Sequence, residues 1–374
     1  MIYFDSAATT MQKPREVSRA VAAAIDHMAS IGRGDSKASH SAAELLFNCR
    51  QTAAELFGVP SAEQVVFTFN ATHALNIAIK SLVKSGHSVL ISGYEHNAVS
   101  RPLASISGIQ VRILNTPLFQ PEIFLEQFRK ELAEGVDVVI CNHVSNVFGY
   151  ILPVEQVASL CYERGVPFIL DASQSAGTLP VHLERMHAAF IAMPGHKGLY
   201  GPQGTGLLLC GQKGDPLLYG GTGSMSFLRE MPDFLPDRLE AGTHNVAGIA
   251  GLAQGMSFVR KVGQANILRH EQMLKNLVAK GLSEMPGVEV FSSQDPRKQS
   301  GVVSFRTHGH DCEEVGAYLS QNQIAVRSGF HCAPLAHQSA GTAETGTVRL
   351  SFSAFNTPSQ VSRFLSILRG FHSS

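Results

Sequence analysis

The feature of this sequence that most constrains its fold is the alternation, between about residues 64 and 210, of apolar runs with helix-like segments. Several runs are apolar at consecutive positions, as in strands that are covered on both faces. The alternation therefore predicts an α/β architecture with a largely parallel sheet flanked by helices. The predicted strands are Val65–Phe69, Ser88–Ser92, Val136–Cys141, Pro167–Leu170, Ala188–Ala192 and Thr205–Leu209, and two predicted helices are Ala71–Leu82 and Val154–Arg164.

The last third of the chain lacks this strict alternation and predicts a smaller α+β domain. We expect a large domain at residues 13–248 and a small one at 249–374, which residues 1–12 join. The boundary falls in a helix-forming region, not in a Pro/Ser linker, so we expect the two domains to pack together. The predicted elements of the small domain are a long helix at roughly 246–285, strands Val288–Phe291, Val302–Arg306, Ile324–Arg327 and Thr347–Phe352, and helices beginning near Asp311 and Pro358.

Charge and hydropathy exclude several classes of protein. The chain has 374 residues, with 30 Lys and Arg against 30 Asp and Glu. This balance gives no reason to expect nucleic acid or a membrane surface as a partner. The first residues show no basic segment followed by an apolar one, and no apolar run approaches the ~18 residues of a membrane span. We therefore expect a cytoplasmic protein.

Cysteine and histidine patterns predict no metal site. None of the six cysteines forms a C-x-x-C pair, and the sixteen histidines include no H-E-x-x-H motif. Cys141, Cys161 and Cys210 lie in or beside apolar runs, and we expect them to be reduced core thiols.

Lys197 follows a predicted strand in the run Pro194-Gly195-His196-Lys197-Gly198. In open α/β sheets, ligands bind at the carboxyl ends of strands. A lysine there, among glycines that allow close approach of a flat ligand, can bind a carbonyl cofactor covalently. An ordinary surface lysine is the alternative.

Asp171 closes the preceding strand in Leu170-Asp171-Ala172-Ser173-Gln174. An aspartate at this place is a candidate partner for the cationic ring nitrogen of pyridoxal phosphate. Gln174 is then a candidate donor to the phenolic oxygen of the ring. The alternative for Asp171 is a helix N-cap.

Two further strand ends carry candidate ligands. Thr72 lies where a strand passes into a helix, whose N-terminal N–H groups attract a phosphate. The alternative is that Thr72 only caps the helix. His96 follows the next strand, where it is suited to stack on a ring and to exchange protons.

These motifs resemble the class V branch of fold-type I pyridoxal-phosphate enzymes, specifically the cysteine desulfurases and selenocysteine lyases. The resemblance covers almost the whole chain, and its Cys332 segment is similar to the group II, Suf-type, members. It implies a fold-type I transferase that acts on L-cysteine or L-selenocysteine. The motifs that carry it are Tyr3–Thr10, Ala71-Thr72, Glu95-His96, His143–Asn146, Asp171–Gln174, Gly195–Lys197, Ala241–Thr243, Arg327–Ala333 and Val348–Ser351.

The resemblance implies a role for each cofactor ligand. Lys197 binds pyridoxal 5'-phosphate covalently and Asp171 pairs with the ring nitrogen. The other implied cofactor contacts come from Ala71, Thr72, His96, Asn146, Gln174, His196 and, in the partner subunit of a homodimer, Thr243.

The resemblance also implies the substrate contacts. Asn146, Arg327 and Arg349 bind the substrate, and Cys332 removes its sulfur as a persulfide for an acceptor protein or small thiol. Arg327 and His331 are expected to favour the reactive thiolate. Two departures affect phosphate binding: Pro194 stands where the family usually has serine, and His73 where it has an acidic residue.

Other functions remain open at this level. A selenocysteine lyase uses the same residues, and another class V aminotransferase or lyase would leave Cys332 without a role. A sulfur-relay scaffold would not need the intact set of Lys197, Asp171, Arg349 and Cys332. A nicotinamide dehydrogenase is disfavoured because the first strand–helix turn has no G-x-G-x-x-G.

Overall fold

The computed structural model describes residues 1–31 and 36–372. Its strands are β1 (Ile2–Tyr3), β2 (Val65–Thr68), β3 (Ser88–Ser92), β4 (Gln110–Leu114), β5 (Val138–Asn142), β6 (Phe168–Asp171), β7 (Phe190–Pro194), β8 (Gly206–Cys210), β9 (Val288–Phe291), β10 (Val302–Thr307), β11 (Ile324–Ala325), β12 (Arg327–Gly329) and β13 (Thr347–Ser351). Its helices are α1 (Arg15–His27), α2 (Lys37–Phe57), α3 (Ala71–Leu82), α4 (Asn97–Ala104), α5 (Pro121–Ala133), α6 (Val154–Glu163), α7 (Leu183–Met186), α8 (Val246–Val262), α9 (Gln264–Ser283), α10 (Cys312–Gln321), α11 (Pro334–Ser339) and α12 (Pro358–His372).

The large sheet has seven strands in the order β2-β8-β7-β6-β5-β3-β4. Strand β8 is antiparallel to both of its neighbours, and the remaining pairs are parallel. Strands β2, β3, β5, β6 and β7 therefore end at the same edge of the sheet. The predicted mainly parallel α/β fold is confirmed.

In the strands of the large sheet other than the edge strand β4, alternate side chains enter two different hydrophobic clusters. In β5, Val139 and Cys141 belong to one cluster, while Val138 and Ile140 belong to the other. Helix α6 contributes Val157 to the first cluster. Helix α3 contributes Leu75 to the second. Both faces of the sheet are thus covered, which explains why its strands are apolar at consecutive positions.

The C-terminal third forms a separate antiparallel sheet in the order β12-β13-β10-β9. Apolar residues of α9, α10 and α12 pack on it as a third hydrophobic cluster. Strand β1 pairs in parallel with β11, so the N-terminus joins this part of the fold. These contacts agree with the predicted α+β character, whereas the numerical domain boundaries stay predictions.

Two differences from the sequence prediction concern a helix and a strand. The long helix expected at 246–285 is two helices, because the chain turns at Gly263 with a φ of +88°. The sequence analysis missed strand β4, because most of its residues are exposed and because polar and apolar residues are mixed in it.

No helix among residues 1–31 and 36–372 is long and apolar enough to cross a membrane.

Candidate active site

Most of the predicted site residues line one cavity of about 250 Å³ at the carboxyl-terminal edge of the seven-stranded sheet. Its wall combines strand ends of this sheet with residues of β12, β13 and the loop after β12. The predicted residues at this wall are Ala71, Thr72, His96, Asn146, Asp171, Gln174, His196, Lys197, Arg327, Cys332 and Arg349. The structure thus brings them together, while their individual roles stay predictions.

Thr243 is not among the described residues that line this cavity. It lies with His73 at a smaller, separate cavity beside β2. The Nδ1 atom of His73 accepts a hydrogen bond from the Phe69 N–H at 3.3 Å, and the two rings stack. Of the two departures from the family pattern, only Pro194 therefore borders the main cavity.

Lys197 owes its position to the tight turn after β7. A Cβ atom at Gly195 would lie 2.2 Å from the Thr205 Oγ1, so this position of the turn requires glycine. Burial lowers the pKa of Lys197 to about 8, against the opposing effect of the Asp171 charge. About one tenth of the amine is therefore neutral near pH 7, far more than for an ordinary lysine, and the neutral form is the one that acts as a nucleophile or base.

Asp171 is a buried carboxylate at the end of β6. It accepts a hydrogen bond from the Ser173 N–H at 2.9 Å. No lysine, arginine or histidine forms an ion pair with it in the described part of the chain. A buried carboxylate without a cation is costly, so this end of the cavity fits a ligand that brings its own positive charge.

His96 is the N-cap residue of α4, and its Nδ1 accepts a hydrogen bond from the Ala98 N–H at 3.0 Å. Burial, followed by the Lys197 charge, lowers the pKa of His96 to about 4. The imidazole is therefore neutral at pH 7, with its proton on Nε2.

The cap of α3 is Asn70, whose Oδ1 accepts the His73 N–H at 2.9 Å. The alternative that Thr72 caps this helix is therefore wrong, and Thr72 is exposed in the first turn. First-turn N–H groups have no acceptor within a helix, and Ala71 and Thr72 both border the cavity. This corner fits an anion.

His196 borders the same region of the site. Its Nδ1 lies 3.0 Å from the Thr9 Oγ1. Burial and the charges of Lys197 and Lys13 lower its pKa to about 4, so the ring is neutral at pH 7. As a phosphate ligand it would donate a hydrogen bond from a neutral ring.

Arg349 is 2% exposed in the middle of β13. Its Nη1 donates to the Asn146 carbonyl at 2.8 Å, and its Nη2 to the Asp5 Oδ1 at 2.6 Å. The Arg349 Nε and the Asn146 Oδ1 are buried without a hydrogen-bond partner among the described residues. Buried polar groups are rarely unsatisfied, so these atoms mark a place for a polar ligand.

Cys332 is the one exposed cysteine, and the other five are buried, including the predicted core thiols. His331 and Cys332 both have positive φ, at 51° and 55°, which is unusual for two successive non-glycine residues. Two hydrogen bonds of 2.8 Å hold this turn, from Asn146 Nδ2 to the His331 carbonyl and from the Asn97 N–H to the Cys332 carbonyl. The turn places the thiol at the cavity wall.

His331 differs from the sequence expectation. Its Nε2 lies 3.2 Å from the Thr347 carbonyl, so Nε2 carries the proton of the neutral ring. Burial and the charge of Arg349 lower the pKa of His331 well below its ordinary value. A neutral imidazole supplies no positive charge to a thiolate, so His331 does not meet this expectation, while the expectation for Arg327 stays a prediction.

Sequence reasoning missed a buried polar cluster beneath the site. The Glu95 Oε1 accepts from the Asn142 N–H at 2.8 Å and from the Ser92 hydroxyl at 2.5 Å. Asn142 borders the cavity and ends β5, as Asp171 ends β6. The same signal, a polar residue that closes an apolar strand, could have identified Asn142.

Comparison with known proteins agrees with this geometry. Residues 2–364 match the family model described as aminotransferase class-V, so the chain belongs to this family. Members of the family use pyridoxal phosphate.

The chain is 30% identical to a probable cysteine desulfurase of Pyrococcus abyssi, over 98% of this chain and 93% of the relative. It is 32% identical to a cysteine desulfurase of Escherichia coli, over 100% of this chain and 93% of the relative. A solved apo structure of cysteine desulfurase from Thermococcus onnurineus superposes with a TM-score of 0.90 at 31% identity, covering 99% and 94% of the two chains. The predicted family is confirmed, and its Suf-type subdivision stays a prediction.

Glu95 generates a pH-dependent prediction about stability. Burial raises its pKa to about 8, and the Asp171 charge adds to the rise. Between about pH 5 and about pH 8 the folded form keeps a proton that the unfolded chain loses, so this group makes the unfolding free energy fall as pH rises. The glutamine of Glu95→Gln cannot ionise. Chemical denaturation should therefore show that the stability of this variant rises relative to that of wild type as the pH increases from about 5 to about 8.

The control is Glu163→Gln, at an exposed position on α6. Its stability difference from wild type should not change in this way. A constant difference for Glu95→Gln across the same pH range would contradict the assignment of a neutral Glu95.

Proposed function

We propose that the protein is a cysteine desulfurase, which converts L-cysteine to L-alanine and leaves the sulfur as a persulfide on Cys332. The observation that carries this proposal is the exposed Cys332 thiol on a turn that borders the same cavity as Lys197 and Asp171. Other chemistries of the family need the lysine and the aspartate but give no role to this thiol. The sulfur then passes to an acceptor protein or a small thiol.

The residues of the cavity fit pyridoxal 5'-phosphate. Lys197 provides a partly neutral amine for covalent attachment, and Asp171 provides for the ring nitrogen a buried carboxylate that has no ion-pair partner among the described residues. The first turn of α3 with Thr72, together with His196, provides donors for the phosphate. Gln174 has an amide for the phenolic oxygen, and this amide donates to the Ala7 carbonyl at 2.9 Å.

When bound, the cofactor supplies an electron-withdrawing ring that stabilises negative charge at the substrate Cα. Lys197 Nζ, with a pKa of about 8, is suited to accept the Cα proton and return it. The neutral imidazole of His96 can donate a hydrogen bond through its Nε2–H. His96 can therefore orient a substrate without adding a charge.

The substrate carboxylate is assigned to Arg349, whose buried Nε–H has no acceptor among the described residues. Asn146 lies beside it, and Arg327 is the direct neighbour of Arg349 across the β12–β13 pair. Two guanidinium groups and an amide recognise a carboxylate through charge-assisted hydrogen bonds.

Sulfur transfer then belongs to Cys332. Its Sγ attacks the sulfur of the bound cysteine, a sulfur–sulfur bond forms, and the electron pair of the carbon–sulfur bond stays with carbon. Protonation of this carbon completes alanine, and the displaced sulfur remains on Cys332. No external oxidant is required, because the carbon that loses sulfur takes the electron pair and a proton.

The Cys332→Ala variant tests this assignment. It should fold, retain the cofactor absorbance and bind cysteine, but release alanine at less than about one hundredth of the wild-type rate because its nucleophile is absent. The matched control is Cys312→Ala, since Cys312 is buried in the same part of the fold. Full alanine release by Cys332→Ala would show that this thiol is not the sulfur acceptor.

We infer that the protein is a homodimer in which Thr243 reaches the phosphate site of the partner. Thr243 lies outside its own chain's main cavity, on a surface that includes the segment 217–234. This segment exposes several large apolar side chains, and such patches are typical of subunit interfaces. They are Leu218, Tyr219, Met225, Phe227, Leu228 and Phe234.

Sedimentation velocity tests this assembly. The wild type should sediment as a dimer, and Phe227→Asp should weaken the dimer at least about tenfold by burying a charge in the interface. Leu277→Asp, at an exposed position on α9, is the control. An active monomeric wild type that keeps its cofactor would contradict the inference.

A further inference from the structure

The N-terminal segment 5–10 makes hydrogen bonds to four of the proposed site residues, and one of these bonds runs from the Thr10 hydroxyl to the Lys197 carbonyl at 3.4 Å. The Asp5 Oδ1 accepts from Arg349 Nη2 at 2.6 Å, and the Ala7 carbonyl accepts from Gln174 Nε2 at 2.9 Å. The Thr9 Oγ1 lies 3.0 Å from His196 Nδ1. No sequence motif assigns a function to these contacts, and the strongest of them is the ion pair of Asp5.

Asp5 contacts Arg349 from outside the cavity. Arg349 borders the cavity, whereas Asp5 is not among the described residues that do so. Nη1 and Nη2 of the guanidinium are engaged by protein oxygens, and Nε has no partner in the described chain. The protein thus fixes the two terminal nitrogens and leaves one buried donor for a ligand.

The surroundings of Arg349 require a negative charge beside its guanidinium group. Arg349 pairs directly with Arg327 in the register of β12 and β13, and like charges at opposed positions repel. No acidic residue forms an ion pair with Arg327 among residues 1–31 and 36–372. Asp5 is therefore the carboxylate that offsets the charge of Arg349. Without it, a nearly fully buried guanidinium would lie beside a second one without compensation.

On the basis of the proposed function, we propose that Asp5 is a positioning residue. It fixes the Arg349 guanidinium so that the Nε–H of this arginine binds the carboxylate of the substrate. Asp5 itself touches neither the substrate nor the cofactor. Its loss should therefore weaken recognition of the carboxylate more than it slows the chemical steps at Cα and sulfur.

Steady-state kinetics of Asp5→Asn test this proposal. The amide keeps the shape and one acceptor oxygen but loses the charge that orients the guanidinium. KM for L-cysteine should rise roughly tenfold or more, with kcat within about threefold of wild type. Asp5→Glu, which keeps the charge, should lie between wild type and Asp5→Asn. The control is Glu16→Gln, at an exposed acidic position on α1, which should match wild type.

Competitive inhibition provides a readout that general loosening of the fold would not reproduce. L-alanine carries the carboxylate but no sulfur, and ethylamine lacks the carboxylate. In Asp5→Asn, inhibition by L-alanine should weaken in parallel with KM, while inhibition by ethylamine should stay within about twofold of wild type. Equal weakening of both inhibitors would overturn the proposal, because it would indicate damage to the whole site.

Unchanged KM in Asp5→Asn would also overturn the proposal. Arg349→Lys, measured in parallel, separates this result from failure of the proposed function. If Arg349→Lys raises KM and Asp5→Asn does not, the carboxylate site stands and the role of Asp5 falls. If wild-type protein loaded with pyridoxal phosphate releases no alanine from cysteine, the proposed function falls, and the proposal about Asp5 falls with it.

Discussion

Backbone hydrogen bonds between the parallel strands β3, β5, β6 and β7 hold their carboxyl ends along one edge of the large sheet. The part of the candidate site that the large sheet contributes depends on this alignment. Each strand ends in, or passes directly into, a polar side chain that the strand interior could not accommodate. His96, Asn142, Asp171 and Lys197 follow from four successive strand ends and meet at one cavity. Separate sequence motifs thus become one chemical site.

Burial then determines the protonation states that the site can use. It lowers the pKa of Lys197 to about 8 and that of His96 to about 4, so near pH 7 His96 is neutral and about one tenth of Lys197 is neutral. The Asp171 carboxylate, in contrast, accepts a hydrogen bond from the Ser173 N–H and forms no ion pair with a cationic side chain in the described part of the chain. The edge of the sheet therefore offers a carboxylate that can pair with a cationic group of a ligand. Arg349 and Arg327, which border the same cavity, provide donors for an anion.

Local sequence patterns predicted those parts of the fold and of the site that depend on residues close together in the sequence. Helix α3 is found at the predicted Ala71–Leu82, because an apolar stripe lies within the helix and the polar cap Asn70 immediately precedes it. Asp171 and Lys197 were predictable because Asp171 closes a buried apolar run and Lys197 follows another one within three residues. The family resemblance added Asn146, Arg327, Arg349 and Cys332, which lack such a local signal.

Contacts between distant residues could not be predicted in this way. Asp5 and Arg349 are 344 positions apart, and neither segment contains a pattern that indicates the other. The neutral state of His331 is equally non-local, since it depends on burial and on the charge of Arg349. The break at Gly263 was missed because helical periodicity continues on both sides of one glycine. Such features depend on tertiary packing and only the folded chain shows them.

The central claim is that Cys332 accepts sulfur from cysteine at this site. Mass spectrometry of the protein, loaded with pyridoxal phosphate and incubated with L-cysteine in the absence of reductant and acceptor, tests it most directly. The account predicts that the peptide containing Cys332 gains the mass of one sulfur atom and that a reductant removes this gain. Alanine formation with the added sulfur on another cysteine, or on no cysteine, would contradict the account.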